Sequence, residues 1–429
     1  MADKLIYLLV IILLVVPLYP KFPLIGVAGT FVAIRLEDIV IAVVVGLWLA
    51  TNLTKWKQVI WGQPINRAII FYWLAGAVSI FAAVLVTKSA DLNQGLLHLF
   101  RRVEYMSLFM VAYSALAKKE HLDWILRTLL IIALIVAVYG IGQLLLDWPV
   151  ISTNNSEFSK GLALSLGPGA RINSTFAGHY DLAAFSLFPL LVVIGMLAVK
   201  DIKGKLVVVG VGALSYWAML LSASRVTFAA FFAASGLLLW RIGKKSWLIV
   251  WLVVALTSFW LSPSLVGRYR DLIVNQLFTW APSVQAQADA EIPDALQPPA
   301  QPEDRSLNIR LRVEWPRAVR SVIKNPILGT GFSSVGLAVD NDYLRSMAEV
   351  GLLGTAALVL VFGRVFKALW STGKIKMELG QIFPLAVACA LIGLLINALF
   401  IDVLEASKVA IMTWTLLGLA VKTREISRS

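Results

Sequence analysis

Twelve long apolar runs, separated by shorter polar segments, recur along the 429-residue chain. A helix of about 20 apolar residues can cross the ~30 Å hydrocarbon core of a bilayer. Only 15% of the residues are charged, whereas a soluble domain carries roughly 25%. The sequence therefore predicts an all-α fold, a polytopic membrane helix bundle of about 12 transmembrane helices. The runs lie near residues 5–20, 38–53, 68–87, 98–117, 123–146, 179–199, 205–223, 226–240, 247–263, 344–366, 382–401 and 406–421.

Lysine and arginine cluster in alternate short loops, and the positive-inside rule places such loops in the cytoplasm. Both termini are then cytoplasmic, which requires an even number of spans. The cytoplasmic series is Lys55, Lys57, Arg67, Lys118, Lys119, Lys200, Lys203, Lys205, Arg241, Lys244, Lys245, Lys367, Lys374, Lys376, Lys422, Arg424 and Arg428.

This topology divides the chain into three parts. Residues 1–262 form spans 1 to 9, residues 263–343 form a large, partly helical loop on the outer side, and residues 344–429 form spans 10 to 12 and a cytoplasmic tail. Within the loop, residues 283–304 are rich in Ala, Gln, Pro and acids. That composition predicts a flexible insertion.

The end of the large loop has a helical pattern. Apolar residues recur every four positions from Leu307 to Ile323, with arginines between them. This spacing predicts a basic amphipathic helix that lies on the membrane or caps the bundle. Pro316 is expected to kink this helix or to start a second one.

The net charge of +13 comes from short basic clusters rather than from a continuous basic face. We therefore expect no nucleic acid partner, and attribute the charge to topology and to an anionic ligand.

The one cysteine, Cys389, excludes a disulfide framework. No metalloprotease, P-loop or nucleophile-elbow motif occurs. Asp340 and Asp342 form a D-x-D pair that suits a hard cation, but the pattern is too short to indicate a metal, so we predict no metal or cofactor.

Three polar groups lie on the predicted outer side: Arg171–Asp181, Ser222–Arg225 and Asn325–Glu349. Ionisable residues near a bilayer are costly unless they are hydrated, paired or bound to a ligand. Arg171 and Arg225 would suit a phosphate ester or diphosphate, because guanidinium stays charged and donates bidentate hydrogen bonds. The alternative is that each arginine extends towards the lipid headgroups.

Each remaining candidate has a structural alternative. His179 is either a base or a hydrogen-bonded residue at a helix start. Asp342 is expected to cap the following helix, and Glu349 to pair with Arg345 four residues earlier. The other outer charges are expected to form ion pairs between helices, although Arg101 and Arg102 would also extend an anionic site. These other charges are Arg35, Glu37, Asp38, Arg101, Arg102, Glu104, Asp402, Glu405 and Lys408.

Taken in order, these groups resemble the O-antigen ligase and polymerase superfamily of bacterial membrane glycosyltransferases. The resemblance covers roughly residues 165–365. Its motifs are STFAGHYDLAAF at the start of a span, the Ser224–Arg225 turn, and the segments NPILGTGF and DNDYLRSMAEVGLLG, in which the large loop ends. The last segment is the most specific, because it resembles the family's His-Asn-x-Tyr-Leu run followed by Glu and Gly.

The resemblance implies an undecaprenyl-diphosphate-linked oligosaccharide as donor and a glycan, lipid or protein as acceptor. It also implies the bacterial cytoplasmic (inner) membrane, surrounding membrane lipid, and an active site on the outer, periplasmic face. By this resemblance Arg171 and Arg225 bind the diphosphate, with Arg101 and Arg102 as further donor-binding candidates, and catalysis is inverting and independent of a metal.

The family's catalytic histidine aligns with Asp340, so either Asp340 or His179 is expected to be the base. By the resemblance, the residues expected to position the acceptor or the loop are Asn341, Asp342, Tyr343 and Glu349.

Two other functions fit the same spans. A transporter of polysaccharide or lipid-linked oligosaccharide should show paired repeats and polar residues near the membrane midplane, and neither is clear in this sequence. An inactive scaffolding relative is compatible with the missing histidine.

Overall fold

The computed structural model describes residues 2–19, 23–26, 33–150, 170–260, 310–336, 339–370, 373 and 375–428. The predicted insertion at 283–304 lies outside these residues, as does most of the large loop. The helices are α1 (Ala2–Leu18), α2 (Leu36–Asn52), α3 (Trp56–Trp61), α4 (Pro64–Ala82), α5 (Leu92–Ala115), α6 (Lys119–Leu145), α7 (His179–Ala198), α8 (Lys205–Leu221), α9 (Arg225–Arg241), α10 (Lys245–Trp260), α11 (Trp315–Lys324), α12 (Asp342–Leu369), α13 (Leu379–Asn397) and α14 (Ser407–Ile426).

In the described part of the chain, the β structure is one short antiparallel hairpin between α1 and α2. Its strands are β1 (Pro23–Gly26) and β2 (Ala33–Arg35), and Pro23 pairs with Arg35. The all-α prediction is therefore confirmed apart from this hairpin.

Six helical segments in the described residues are long and apolar enough to cross a membrane. Three further apolar helices are shorter. Every run predicted as a span overlaps one of the helices, but the total of about 12 spans stays a prediction. The six segments are Leu36–Trp61, Pro64–Thr87, Lys119–Leu145, His179–Ala198, Asp342–Leu369 and Leu379–Asn397, and the shorter helices are Leu5–Leu18, Lys205–Leu221 and Lys245–Trp260.

Helix α14 lies at the centre of the bundle. Every residue from Ser407 to Val421 is buried, which is the pattern of a helix surrounded by others on all sides. It packs mainly on α5 and α13, and α13 packs on α7 and α9. The two ends of the α13–α14 connection are therefore held within the bundle.

The amphipathic segment of the large loop contains two helical pieces. A π-helical turn, Arg310–Glu314, leads into α11, and Pro316 lies in the first turn of α11, so the predicted second helix is confirmed. The every-four apolar stripe is not the side that packs on the bundle, and contact of this stripe with the membrane stays a prediction. Ala318 is fully buried against α12, whereas Val319 and Ile323 are exposed, because a helix turns 100° per residue and only one side of this apolar face meets the bundle.

Candidate active site

The starts of α9 and α12 meet at the end of α13. The Thr227 hydroxyl donates to the Asn397 side-chain oxygen at 2.6 Å, and the Asp342 N–H donates to the Ala398 carbonyl at 2.9 Å. Both helices thus direct their N-terminal ends, which carry partial positive charge, to the same end of the bundle.

Lys408 brings the segment before α7 to this end. It is fully buried near the start of α14, and its ammonium donates to the carbonyls of Pro17 at 3.2 Å, Tyr19 at 2.7 Å and Thr175 at 2.7 Å. A buried ammonium needs such acceptors because desolvation is costly. The predicted Arg171–Asp181 group therefore lies at the end of the bundle where α9 and α12 begin.

Within that group, Arg171 and His179 are in contact. The Arg171 Nη1 atom lies 2.5 Å from His179 Nε2. Since arginine has no acceptor, His179 must accept this hydrogen bond as a neutral imidazole. The ring of His179 also lies 4.0 Å from that of Tyr180.

The predicted Ser222–Arg225 turn is a tight connection between α8 and α9. Ala223 has φ 49°, and Ser224 caps α9 by accepting from the Thr227 N–H at 3.4 Å. The cap makes Arg225 the first residue of α9. Because Thr227 also bonds Asn397, the turn that carries Arg225 is fixed against α13.

Asp402, in the connection between α13 and α14, holds the segment that carries Asp340. Its carboxylate accepts from three consecutive backbone N–H groups, those of Val339 at 2.9 Å, Asp340 at 3.0 Å and Asn341 at 3.1 Å. It also accepts from Arg345 at 2.9 Å. Burial alone would raise the pKa of Asp402, but Arg345 and these N–H groups outweigh burial and lower the pKa.

Asp340 has φ 52° and is paired with Arg310. The Arg310 Nε and Nη2 atoms lie 2.9 Å and 2.7 Å from the same Asp340 oxygen, Oδ2. Burial raises the pKa of Asp340, Arg310 opposes the rise, and the neighbouring Asp402 charge adds to it. Arg310 also interacts with the side chain of Tyr180, so it bridges Asp340 and the start of α7.

The residues that follow Asp340 build the start of α12. Asn341 caps the helix by accepting from the Tyr343 N–H at 3.1 Å and from the next N–H. The prediction that Asp342 is the cap is wrong, because Asp342 is already helical and its carboxylate instead accepts from the Leu404 N–H at 3.0 Å. The Tyr343 hydroxyl donates to the Leu395 carbonyl at 2.8 Å.

Glu349 lies in a buried charge network. It accepts from Arg102 at 3.1 Å and from Arg345 at 3.2 Å, which confirms the predicted i, i+4 pair. Arg102 also pairs with Glu405 and lies 3.9 Å from the ring of Phe332. The predicted ion pairs between helices are therefore present for Arg102, and its contacts favour a structural role over diphosphate binding.

The predicted glycine turn docks on a break in α12. Gly329 and Gly331 have φ 75° and 86°, and Gly351 has φ 63°. The Gly331 N–H donates to the Glu349 carbonyl at 2.8 Å. A Cβ on Gly351 would lie 2.3 Å from the Ile327 carbonyl oxygen, so the close approach requires glycine.

The sequence does not place two residues of this site there. It places Arg310 only in the amphipathic helix, and it predicts for Asp402 only an ion pair between helices. No local sequence pattern links Asp402 to Asp340, because the two residues are 62 positions apart.

The fold and site define a membrane protein with a charged cluster at one end of its helix bundle. Residues 210–359 match the family described as O-antigen ligase. This match includes Arg225, Arg310 and Asp340, whereas Arg171 and His179 precede it. No match was found among curated proteins. The predicted resemblance to the O-antigen ligase and polymerase superfamily is confirmed.

Proposed function

We propose that the protein transfers a glycan from an undecaprenyl-diphosphate carrier to an acceptor hydroxyl on the outer face of the bacterial inner membrane. The observation that carries the proposal is the Arg310–Asp340 pair, held by Asp402 and joined through Tyr180 to the Arg171–His179 pair. The O-antigen ligase match over 210–359 supports this reaction class.

In this proposal, basic groups at the starts of α7 and α9 bind the diphosphate. Arg171 precedes α7 and Arg225 begins α9, so their guanidinium groups add to the partial positive charge of helix N-termini. Such donors stabilise the charge that develops as the lipid diphosphate leaves. Arg101 interacts with Glu104 on its own helix, and we give it a supporting role only.

The acceptor hydroxyl needs a base, and the contacts favour a carboxylate over His179. The lone pair of His179 Nε2 already accepts from Arg171, so we assign His179 to positioning that arginine. Asp340 retains one oxygen outside its bonds to Arg310 and stands where the resemblance places the family's histidine, so we assign Asp340 as the base. Attack from the face opposite the leaving diphosphate would invert the anomeric carbon without a metal.

An apolar cavity supports a lipid-linked donor. It has a volume of about 590 Å³ and lies between α7, α8, α9 and α10, with Gly212, Tyr216, Phe232 and Trp251 in its lining. Because Arg225 begins α9 and Phe232 lies two turns further on, a prenyl chain bound there would continue from a diphosphate at Arg225.

The test is a transfer assay with protein purified into lipid, undecaprenyl-diphosphate oligosaccharide and candidate acceptors. Release of undecaprenyl diphosphate should require acceptor and should be lost in Arg225→Ala. Arg67→Ala, an exposed arginine on α4, is the matched control and should keep the wild-type rate. Full release by Arg225→Ala would refute the assignment, and no release with any acceptor would favour the transporter or the scaffold.

A further inference from the structure

Glu314 is a carboxylate that follows Arg310 by four residues in one helical turn and interacts with both members of the Arg310–Asp340 pair. It ends the helical turn Arg310–Glu314 and directly precedes α11. The residue is half-buried, and its Oε2 atom is inaccessible to solvent and has no hydrogen-bond partner among the residues that the structure describes. An unsatisfied buried oxygen is costly, so such a group usually either binds a ligand or acts in chemistry.

The charges around Glu314 come from four parts of the fold: its own turn, α11, the segment before α12, and the α13–α14 connection. Asp340 and Asp402 repel its negative charge, whereas Arg310 on its own turn and Arg317 on α11 attract it. Burial, aided by Asp340, raises the pKa of Glu314 to about 7. A carboxylate with such a pKa exchanges protons near neutral pH, which is the range in which a general base is most effective.

Glu314 and Asp340 differ in what their oxygens contact. Asp340 binds Arg310 through Oδ2, and its backbone N–H is fixed by Asp402. Within the described part of the chain, Glu314 Oε2 has no such donor. The Arg310 ion pair favours the charged form of Asp340, whereas burial of Oε2 without a donor among the described residues favours the protonated form of Glu314.

We propose that Glu314 is the proton acceptor of Asp340: it takes up the proton that Asp340 removes from the acceptor hydroxyl. The inference rests on the proposed function. As the acceptor O–H bond breaks, its proton passes to Asp340 and from Asp340 to Glu314, and the acceptor oxygen forms the new bond to the anomeric carbon. The anomeric C–O bond to the diphosphate breaks, and its electron pair leaves with undecaprenyl diphosphate. Solvent then removes the proton from Glu314.

The experiment compares pH–rate profiles of undecaprenyl diphosphate release for the wild type, Glu314→Gln, Glu314→Asp and Glu120→Gln. Glu120 is an exposed glutamate at the start of α6 and serves as the matched control. Donor binding is measured for each variant, because loss of a base should slow turnover without weakening that binding.

For the wild type, the rate should fall as the pH drops through about 7, because protonated Glu314 cannot accept a proton. Glu314→Gln should lose roughly 100-fold or more in rate and lose this acidic limb, while Glu120→Gln keeps both. Glu314→Asp should keep a limb at lower pH, since aspartate has the lower intrinsic pKa.

A wild-type rate and acidic limb in Glu314→Gln would overturn the role of Glu314 while leaving the proposed function intact. If Glu314→Gln does not fold, an unchanged rate and limb in Glu314→Asp would overturn it equally. Absence of acceptor-dependent release by the wild type at every pH would instead refute the proposed function itself.

Discussion

Asp402 shows how one residue can organise a site that is remote in sequence. Its carboxylate receives three backbone N–H groups and one guanidinium, an arrangement that fixes both the path of the backbone at 339–341 and the position of Arg345. Because the donors are buried, loss of their acceptor would leave several of them unsatisfied. Asp402 is therefore the residue on which the geometry of Asp340 depends.

Replacing this carboxylate should lower stability in a pH-dependent way. Asp402→Asn removes one of the two carboxylate partners of Arg345, leaving Glu349, and should reduce the free energy of unfolding by roughly 3 kcal/mol at pH 7. Since the folded pKa of Asp402 is lowered, its contribution is present above the unfolded pKa of about 4 and is lost as pH falls below it.

The free energy of unfolding should be measured from pH 7 to 3. The gap in this free energy between wild type and Asp402→Asn should close below about pH 4. Asp123→Asn, an exposed position on α6, should show no such gap. A gap that stays constant over the whole range would contradict the assignment of this stability to an ionised Asp402.

Asp340→Asn should remove transfer while leaving the donor bound. The amide cannot take up a proton and loses the ionic part of the contact with Arg310, so turnover should fall by roughly 100-fold or more. Turnover and binding of undecaprenyl-diphosphate oligosaccharide are measured separately. Turnover equal to that of the wild type would move the role of base to another group.

At the level of elements, the break in α12 at Gly351 is a specific feature of the fold. Gly351 has φ 63° and ψ −169°, a conformation that is essentially restricted to glycine. The break lets the glycine turn at 329–331 bond the carbonyls of Ala348 and Glu349. The turn thereby places the Ser333 N–H 3.1 Å from the Glu349 carboxylate.

Gly351→Ala should therefore be strongly destabilising. Its Cβ would clash with Ile327 and its backbone would be strained, at a cost of roughly 1–3 kcal/mol or more. Gly363→Ala on the same helix meets no atom within 4 Å and should be neutral or slightly stabilising. Thermal unfolding of both variants tests this, and equal unfolding temperatures would show that α12 tolerates a regular helix at Gly351.

The sequence predicts the elements themselves better than it predicts the contacts between them. Helices were predictable because apolar length alone defines them, and the turns at Ser224 and Gly329 were predictable because local residue types define them. The buried side of α11 was not predictable, because the contact with α12 decides which side of the helix is buried. The link between Asp402 and Asp340 depends on long-range folding, which leaves no local pattern in one sequence.

For the whole molecule, the orientation in the membrane is a prediction from the basic loops. A reporter that is active only in the periplasm should work when fused near Gln297, in the large loop, and should fail when fused after Arg428. A reporter that is active only in the cytoplasm provides the reciprocal control. Cytoplasmic activity at Gln297 would place the loop on the wrong side for a donor displayed at the outer face.

The fold combines a lipid-facing exterior with a charged cluster at one end. Apolar side chains such as Leu206 and Ile249 are largely exposed on α8 and α10, as expected for contact with lipid. The arginine and carboxylate groups instead gather where α7, α9 and α12 begin. This separation suits a substrate with an apolar tail and an anionic head at the membrane surface.

The most direct test of glycosyl transfer is stoichiometry in proteoliposomes. Undecaprenyl diphosphate and glycosylated acceptor are quantified by mass spectrometry from the same reaction. Transfer predicts that the two products form in equal amounts, only with acceptor present, and that both disappear in Arg225→Ala. Movement of intact lipid-linked oligosaccharide across the membrane, with neither product formed, would contradict the account and identify a transporter.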